Sequence, residues 1–466
     1  MTSQKNVVVV GGGPGGYVCA IRLAQLGASV IVIERERMGG TCLNWGCIPT
    51  KVLVHTAELY HEAVNAADLG LHFEGVSINW KELMTRKEQV VEQLVGGVEG
   101  LMAANNISVI TGEASFLSSN TLQVNDTVIS FDTAIIATGS ETVIPPIPGI
   151  DIPGVITSRE ALDLDRIPHS LTVIGGGVVG MEFASIYSIL GTKVTVIEML
   201  DSVLSSMDGD ITSVVKGRLE GAGVRFHTSS QVTGFTMDGN IVATSVKTPT
   251  GPMVVHSEKT LLSVGRRPAT NSLLLENAGI RHDRGRILVD EAMSTSTPNI
   301  YAIGDCCSSI QLAHVASAQG EVAAENVMGH RRFMEYKTVP SCVYTLPEVA
   351  SVGLSESEAI RKGYEVQVGR FPLSANGKSL IMKGYDGLVK FVVDRRYDEI
   401  LGVHMVGPRV TDLIVEGALA LRLEATVEEI VTTIHAHPTI GEALGEAAMA
   451  VHHRAVHMPP TALPIT

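Results

Sequence analysis

Val7-Val8-Val9-Val10-Gly11-Gly12-Gly13-Pro14-Gly15-Gly16 decides the fold class. Four consecutive β-branched residues read as a strand buried on both faces, as in parallel sheets. A glycine turn and a helical pattern follow. A second apolar strand, Ser29-Val30-Ile31-Val32-Ile33, then ends in Glu34. This order predicts a βαβ unit that holds a dinucleotide. Gly11, Gly13 and Gly16 would let backbone N–H groups and a helix N-terminus approach a pyrophosphate. Glu34 would accept hydrogen bonds from the adenosine ribose.

The pattern returns further on. Leu171-Thr172-Val173-Ile174 runs into Gly175-Gly176-Gly177-Val178-Val179-Gly180, and Lys193-Val194-Thr195-Val196-Ile197 ends in Glu198. One GxGxxG says little in a chain with 47 glycines. Two copies, each after an apolar strand and each with an acid about 20 residues on, make ordinary glycine turns a poor account. Gly175, Gly177 and Gly180 mark the second copy as a nicotinamide site. Glu198 favours NAD over NADP, because a carboxylate repels a 2′-phosphate. Met199-Leu200-Asp201 offers no arginine to receive one.

The expected class is therefore α/β, with two Rossmann-like dinucleotide-binding domains plus a C-terminal α+β domain. The first domain spans 1–145 and includes Ala134-Ile135-Ile136-Ala137-Thr138-Gly139-Ser140, a buried strand ending in a small turn. Pro145-Pro146-Ile147-Pro148-Gly149 is a linker, and the second domain spans 146–264. Residues 265–335 return to the first domain through the apolar strand Asn299-Ile300-Tyr301-Ala302-Ile303 and the following Gly304-Asp305. From about Tyr336 the pattern changes to strand-rich alternation and then helices, which sets 336–466 apart.

Length and charge narrow the function. A chain of 466 residues exceeds one ordinary core. With a net charge of −14 and no long basic cluster, no nucleic-acid partner is expected. No apolar run reaches the roughly 18 to 20 residues of a membrane span. Met1-Thr2-Ser3-Gln4-Lys5-Asn6 leads straight into the first strand, so no signal or transit peptide is expected and the location is read as cytoplasmic. Six cysteines in this length do not make a secreted disulfide scaffold. No Cys/His spacing matches a zinc site, and no metal is expected.

Two of those cysteines lie in Gly39-Gly40-Thr41-Cys42-Leu43-Asn44-Trp45-Gly46-Cys47-Ile48-Pro49-Thr50-Lys51. A disulfide needs Cα atoms within about 7 Å. Residues five apart on an ideal helix lie about 7.5 Å apart along the axis and on different faces. A Cys42–Cys47 bridge thus needs a distorted turn, for which Gly46 and Pro49 are suited. A structural bridge and two free thiols are the alternatives. Cys306 and Cys307 are read as packing residues.

The segment from Cys42 to Lys51 resembles the redox disulfide of the flavin-dependent disulfide oxidoreductases, most of all their dihydrolipoamide dehydrogenase branch. The resemblance runs over essentially the whole chain, in several motifs. It implies FAD at the first fingerprint, with Asp305 on its ribityl or pyrophosphate region. Thr41, Lys51, Thr138, Gly139, Gly265 and Ala313 are counted among the cofactor contacts. Cys42 is then the thiol that exchanges with substrate, and Cys47 the thiolate nearer the flavin. Lys51 and Glu182 match the family's ion pair beside the flavin. In His435-Ala436-His437-Pro438-Thr439-Ile440-Gly441-Glu442, His437 matches the acid/base and Glu442 its orienting carboxylate; His435 is read as a loop histidine. Tyr344 to Gly353 match the start of the family's interface (dimerisation) domain.

The family's base reaches the disulfide of the other subunit, so a homodimer with shared sites is implied. The implied reaction oxidises dihydrolipoamide, on the lipoyl-lysine of an acyltransferase or glycine-cleavage carrier, and reduces NAD⁺. The first strand follows so soon after Met1 that no fused lipoyl domain is expected. Val315 and Gln319 depart from the lysine and glutamate common in relatives, and a shifted flavin potential is expected. Thr50 replaces the more usual serine. Among other readings, glutathione reductase is disfavoured by Glu198, Gly180 and the His435-Ala436-His437 form. Mercuric reductase is disfavoured by the lack of cysteine after Cys342, and a soluble transhydrogenase by the presence of the Cys42–Cys47 pair. A catalytically idle flavin-bearing assembly subunit would not need that pair.

Overall fold

The computed structural model describes residues 5–384 and 386–459. The expectations about a leader and about the cysteine-free tail fall partly on residues 1–4 and 460–466, outside the described residues.

The two glycine fingerprints start two parallel five-stranded sheets. In the first, the strands run in the order Ile300–Ala302, Thr133–Ile136, Asn6–Val10, Ser29–Glu34, Ser108–Thr111. Val7, Val8, Val9 and Val10 are all buried, as expected of an inner strand covered on both faces. The helices α1 (Pro14–Gln25), α2 (Gly40–Trp45), α3 (Cys47–Val64) and α4 (Trp80–Ala104) belong to this part of the chain. The second sheet has the order Arg225–His227, Lys193–Ile197, Ser170–Ile174, Lys259–Leu262, Val155–Thr157. Its helices are α5 (Ser158–Ala161), α6 (Val178–Ile189) and α7 (Gly209–Gly221). The strand Ile300–Ala302 pairs in parallel with Thr133–Ile136, so the chain returns to its first sheet before α8 (Ala313–Val327).

The internal repeat extends beyond the fingerprints. In each unit a three-stranded antiparallel sheet precedes the last strand added beside the fingerprint strand. Ala114–Ser118, Thr121–Val124 and Thr127–Ser130 form it in the first unit. Gln231–Asp238, Ile241–Thr248 and Gly251–Ser257 form it in the second. Ser140–Thr142 pairs antiparallel with Arg266–Pro268 where the chain crosses between units.

The remaining sheet is antiparallel, in the order Ser341–Val343, Glu348–Gly353, Ile400–Gly407, Leu388–Asp394, Val366–Pro372. It is accompanied by α9 (Glu356–Arg361), α10 (Gly377–Ile381), α11 (Val410–Arg422), α12 (Val427–Thr432) and α13 (Glu442–Val451). Phe371, Phe391, Met405, Ile414, Leu421 and Leu444 share its core. Among the described residues, no helix is long and apolar enough to cross a membrane.

Candidate active site

The two cysteines flank a break between helices. α2 ends at Trp45, α3 begins at Cys47, and Gly46 between them has φ −140° and ψ −114°. A Cβ on Gly46 would come within 2.7 Å of the Thr41 carbonyl oxygen, so only glycine fits this turn. Cys42 and Cys47 are free thiols joined by a side-chain hydrogen bond. The Cys42 thiol is pushed well up, first by that hydrogen bond and then by burial. The same bond, reinforced by the Lys51 charge, outweighs burial at Cys47 and brings it down to about 7. Of the two thiols, Cys47 beside Lys51 is thus the one favoured as thiolate and Cys42 the one held as thiol.

Lys51 stands one turn further along α3. Its Nζ lies 2.9 Å from both carboxylate oxygens of Glu182 on α6, and 4.3 Å from the centre of the Tyr344 ring. The Tyr344 backbone N–H donates to Glu182 Oε1 at 2.9 Å. The pair thus joins the first unit, the second unit and the edge of the antiparallel sheet beside the thiolate. Replacing Lys51 by methionine removes the cation nearest the pair and should raise the Cys47 midpoint from near 7 by roughly one unit. Ultraviolet thiolate absorbance of reduced protein against pH reads this directly; an unmoved midpoint would refute the account.

The fingerprint residues lie at the carboxyl ends of the inner strands. Gly13 and Gly177 precede α1 and α6, and neither helix has a side-chain cap. The amide groups of these first turns are donors aimed out of the helix. A Cβ on Gly16 would lie 1.9 Å from the Gly11 carbonyl oxygen, and one on Gly180 would lie 2.0 Å from that of Gly175. Both helices can approach their turns this closely only with glycine there. Around Gly177 an added Cβ meets nothing within 4 Å, so the space before the first turn of α6 is open. Glu34 accepts from the backbone N–H of Gly12 at 2.7 Å and of Glu36 at 2.8 Å. Glu198 repeats this with Gly176 at 2.5 Å and Leu200 at 2.7 Å. Each carboxylate is fixed at a strand end and still has lone pairs for ribose hydroxyls.

Thr138 and Gly139 follow the strand Thr133–Ile136, and Gly139 has φ +70°. Gly265, at φ +115°, leads into Arg266–Pro268. Asp305 accepts from Ser140 Oγ at 2.5 Å, and Arg266 Nε donates to that same hydroxyl at 2.7 Å. Thr41 sits within α2, and Ala313 is the first residue of α8, which also lacks a side-chain cap. α8 lies against α1, where an added Cβ on Gly15 would be 3.0 Å from the Ala316 carbonyl oxygen. Two uncapped N-termini from neighbouring helices beside Asp305 suit a flavin dinucleotide with its pyrophosphate. The open, uncapped N-terminus of α6 with Glu198 suits a second dinucleotide.

The two departures in α8 have a structural reading. Val315 and Gln319 are buried. Gln319 Oε1 accepts from the Gly304 N–H at 2.7 Å, and Nε2 donates to Tyr336 Oη at 2.8 Å. The amide is satisfied without a charge, and it braces the turn that carries Asp305.

His437 Nδ1 and Glu442 Oε1 are 2.8 Å apart, and the other oxygen of Glu442 accepts from the Thr439 N–H at 2.8 Å. Burial pushes the Glu442 carboxyl up. The Thr439 N–H and the His437 ring nevertheless hold it below the usual carboxylate range. The His437 side chain is 80% exposed. Among the described residues, no hydrogen bond or ion pair links it to Cys42 or Cys47 of its own chain. His435 lies in the loop between α12 and α13, with its side chain only 13% exposed and Nε2 2.8 Å from Glu416 on α11. The partner sits 19 positions earlier on another helix, a spacing without local signal. Cys306 and Cys307 are buried, with Sγ atoms directed to the carbonyls of Ile303 and Gly304. Among the described residues, no group of three or more His, Cys, Asp or Glu side chains could hold a metal ion.

The sequence profile of the family described as pyridine nucleotide-disulphide oxidoreductase matches residues 5–320, and that of its dimerisation domain matches residues 339–448. The chain belongs to the pyridine nucleotide-disulphide oxidoreductases. It is 43% identical to a dihydrolipoyl dehydrogenase of Bacillus subtilis, over 98% of this chain and all of that one. It is 40% identical to a dihydrolipoyl dehydrogenase of Halobacterium salinarum, over 98% of each. Among solved structures, LpdA from Mycobacterium tuberculosis superposes with a TM-score of 0.89 at 28% identity, covering 95% of this chain and 99% of that one. The family's two-electron chemistry between a nicotinamide and sulfur fits a chain that sets two dinucleotide folds around a dithiol.

Proposed function

We propose that this member of the family oxidises dihydrolipoamide to lipoamide and reduces NAD⁺ to NADH, with resident FAD. The observation that carries the reading is the hydrogen-bonded Cys42–Cys47 pair on a broken helix, with Lys51–Glu182 behind it. Dihydrolipoyl dehydrogenases of full-length similarity support it. Substrate thiol gives its proton to His437, whose tautomer Glu442 holds, and attacks Cys42 of the oxidised pair. The Cys42–Cys47 bond breaks, a mixed disulfide forms at Cys42, and Cys47 leaves as a thiolate facing Lys51. The second substrate thiol then displaces Cys42, which closes lipoamide and leaves the dithiol. The flavin supplies two-electron carriage from that dithiol to the nicotinamide. The residues named above at the first fingerprint, with Asp305 and the α8 N-terminus, hold FAD; those at the second, with Glu198, hold NAD.

The working unit is a homodimer in which His437 of one subunit serves the dithiol of the other, and 336–466 is the interface domain. The FAD domain comprises 1–145 and 265–335, and the NAD domain 146–264. The substrate arrives on the lipoyl-lysine of an acyltransferase or glycine-cleavage carrier in the cytoplasm.

The test is NAD⁺ reduction by dihydrolipoamide on FAD-loaded protein, with NADP⁺ alongside. Turnover is expected with NAD⁺, and kcat/KM for NADP⁺ should be lower by roughly 100-fold or more, because Glu198 occupies the place of a 2′-phosphate. No turnover with bound FAD and an oxidised pair would sink the substrate assignment.

A further inference from the structure

α13 carries two carboxylates one turn apart, Glu442 and Glu446, and each holds a histidine. Glu442 orients His437. Glu446, only 9% exposed in its side chain, has His457 Nδ1 2.7 Å from Oε1. Its other oxygen accepts from the backbone N–H groups of Val456 at 3.0 Å and His457 at 3.1 Å. Three contacts fold the chain back onto α13, and Met458 packs on the interface-domain core. The chemistry proposed above does not use this second pair.

The surrounding charges are paired with one another. His435 meets Glu416 on α11, Arg454 meets Glu428 on α12 at 3.6 Å, and His452 meets Asp398 at 2.8 Å. The hydrogen bond to Glu446 and its charge raise His457 above an ordinary histidine, with Glu442 adding to the effect. Like charges four residues apart on a helix repel. Without a cation at 457, Glu446 would oppose the ionised Glu442 and favour the protonated form of His437.

We infer that His457 is a positioning residue for the His437–Glu442 pair: clamped by Glu446, it offsets the second carboxylate of α13 and sets the pH at which His437 gives up its proton. The inference rests on the reading of His437 as the base. In the holoenzyme dimer, His457→Gln should move the acid limb of kcat/KM for dihydrolipoamide to higher pH by about 0.3 to 0.5 unit at low salt, and by less at high salt. The double variant His457→Gln/Glu446→Gln removes both charges and should return the limb towards the parent position. NMR titration of ¹³Cε1-labelled histidine should show the same displacement at His437 without turnover. A limb and a His437 titration that coincide with the parent in His457→Gln would overturn the inference, even if the melting temperature falls. Full activity in His437→Gln would instead remove the reading on which it rests.

Discussion

Cys47→Ser should reduce dihydrolipoamide-dependent NAD⁺ reduction by roughly 10⁴-fold or more while FAD stays bound. Serine can accept the hydrogen bond from Cys42 but cannot form the disulfide, so the pair loses its capacity to store two electrons. It also loses the thiol favoured as thiolate, since Cys47 is brought down while Cys42 is pushed up. Cys42→Ser should be as inactive by a different route: it keeps a thiolate beside Lys51 but offers substrate no sulfur to attack. Steady-state turnover with the flavin absorbance recorded on the same samples separates loss of chemistry from loss of cofactor. Activity within tenfold of the parent in Cys47→Ser would remove the dithiol from the reaction. A flavin-bearing subunit with no catalytic duty predicts instead no turnover in the parent and assembly that Cys47→Ser leaves unchanged.

The largest stability effect is expected far from the dithiol. Lys390, on the strand Leu388–Asp394, has Nζ 2.9 Å from both oxygens of Asp208, 2.7 Å from Asp210 and 2.8 Å from Glu356. Arg370 closes the cluster at 2.8 Å from Asp210 and 2.7 Å from Glu356. The Lys390 and Asp208 side chains are 2% and 3% exposed. Lys390→Met leaves the buried Asp208 carboxylate without its partner, which costs about 3–5 kcal/mol. The cluster joins the start of α7 to the antiparallel sheet, so the loss should separate the unfolding of those two parts in a denaturant titration. Unchanged, coincident transitions would refute this.

The pH dependence has a definite sign. Burial raises the Asp210 carboxyl, but the hydrogen bonds from Lys390 and Arg370 outweigh it and hold it low. A depressed carboxylate contributes stability above its unfolded value, and that contribution is lost as pH falls through the folded one. Burial lowers Lys390, yet the hydrogen bonds it donates to Asp210, Glu356 and Asp208 win and raise it. Its contribution is complete below the unfolded value and is lost only as pH rises through the folded one. The gap between parent and Lys390→Met should therefore hold near neutrality and narrow on acidification below about pH 4.

The legible parts of this chain were those where order along the sequence is order in space. Val7–Val10, Gly11 and Glu34 recur at nearly the same spacing as Leu171–Ile174, Gly175 and Glu198, and each acid turned out to grip its own glycine turn. The expected break between the cysteines falls at Gly46. The small antiparallel sheets were not legible, because strands such as Thr127–Ser130 are too short and too exposed to show a period. Pairs distant in sequence left no trace in spacing: Lys51 and Glu182 are 131 positions apart, and Lys390 and Asp208 are 182 apart. The first pair was found through resemblance alone, and the second was missed. Gln319 looked like a lost charge and proves to be a buried amide bonded to the Gly304 N–H and the Tyr336 hydroxyl.

His437 faces outward on a different sheet domain from the helix break that holds Cys42 and Cys47. If each centre draws its sulfur from one polypeptide and its imidazole from the other, two inactive proteins can make an active one. A subunit with Cys47→Ser still lends its histidine, and a subunit with His437→Gln still lends its dithiol. Unfolding the two together and reassembling them would concentrate both lesions in one centre of each mixed dimer and leave the other intact. Activity reborn on mixing, at about one quarter of the parent for random pairing in which half the dimers are mixed, would be a property that neither parent variant has on its own.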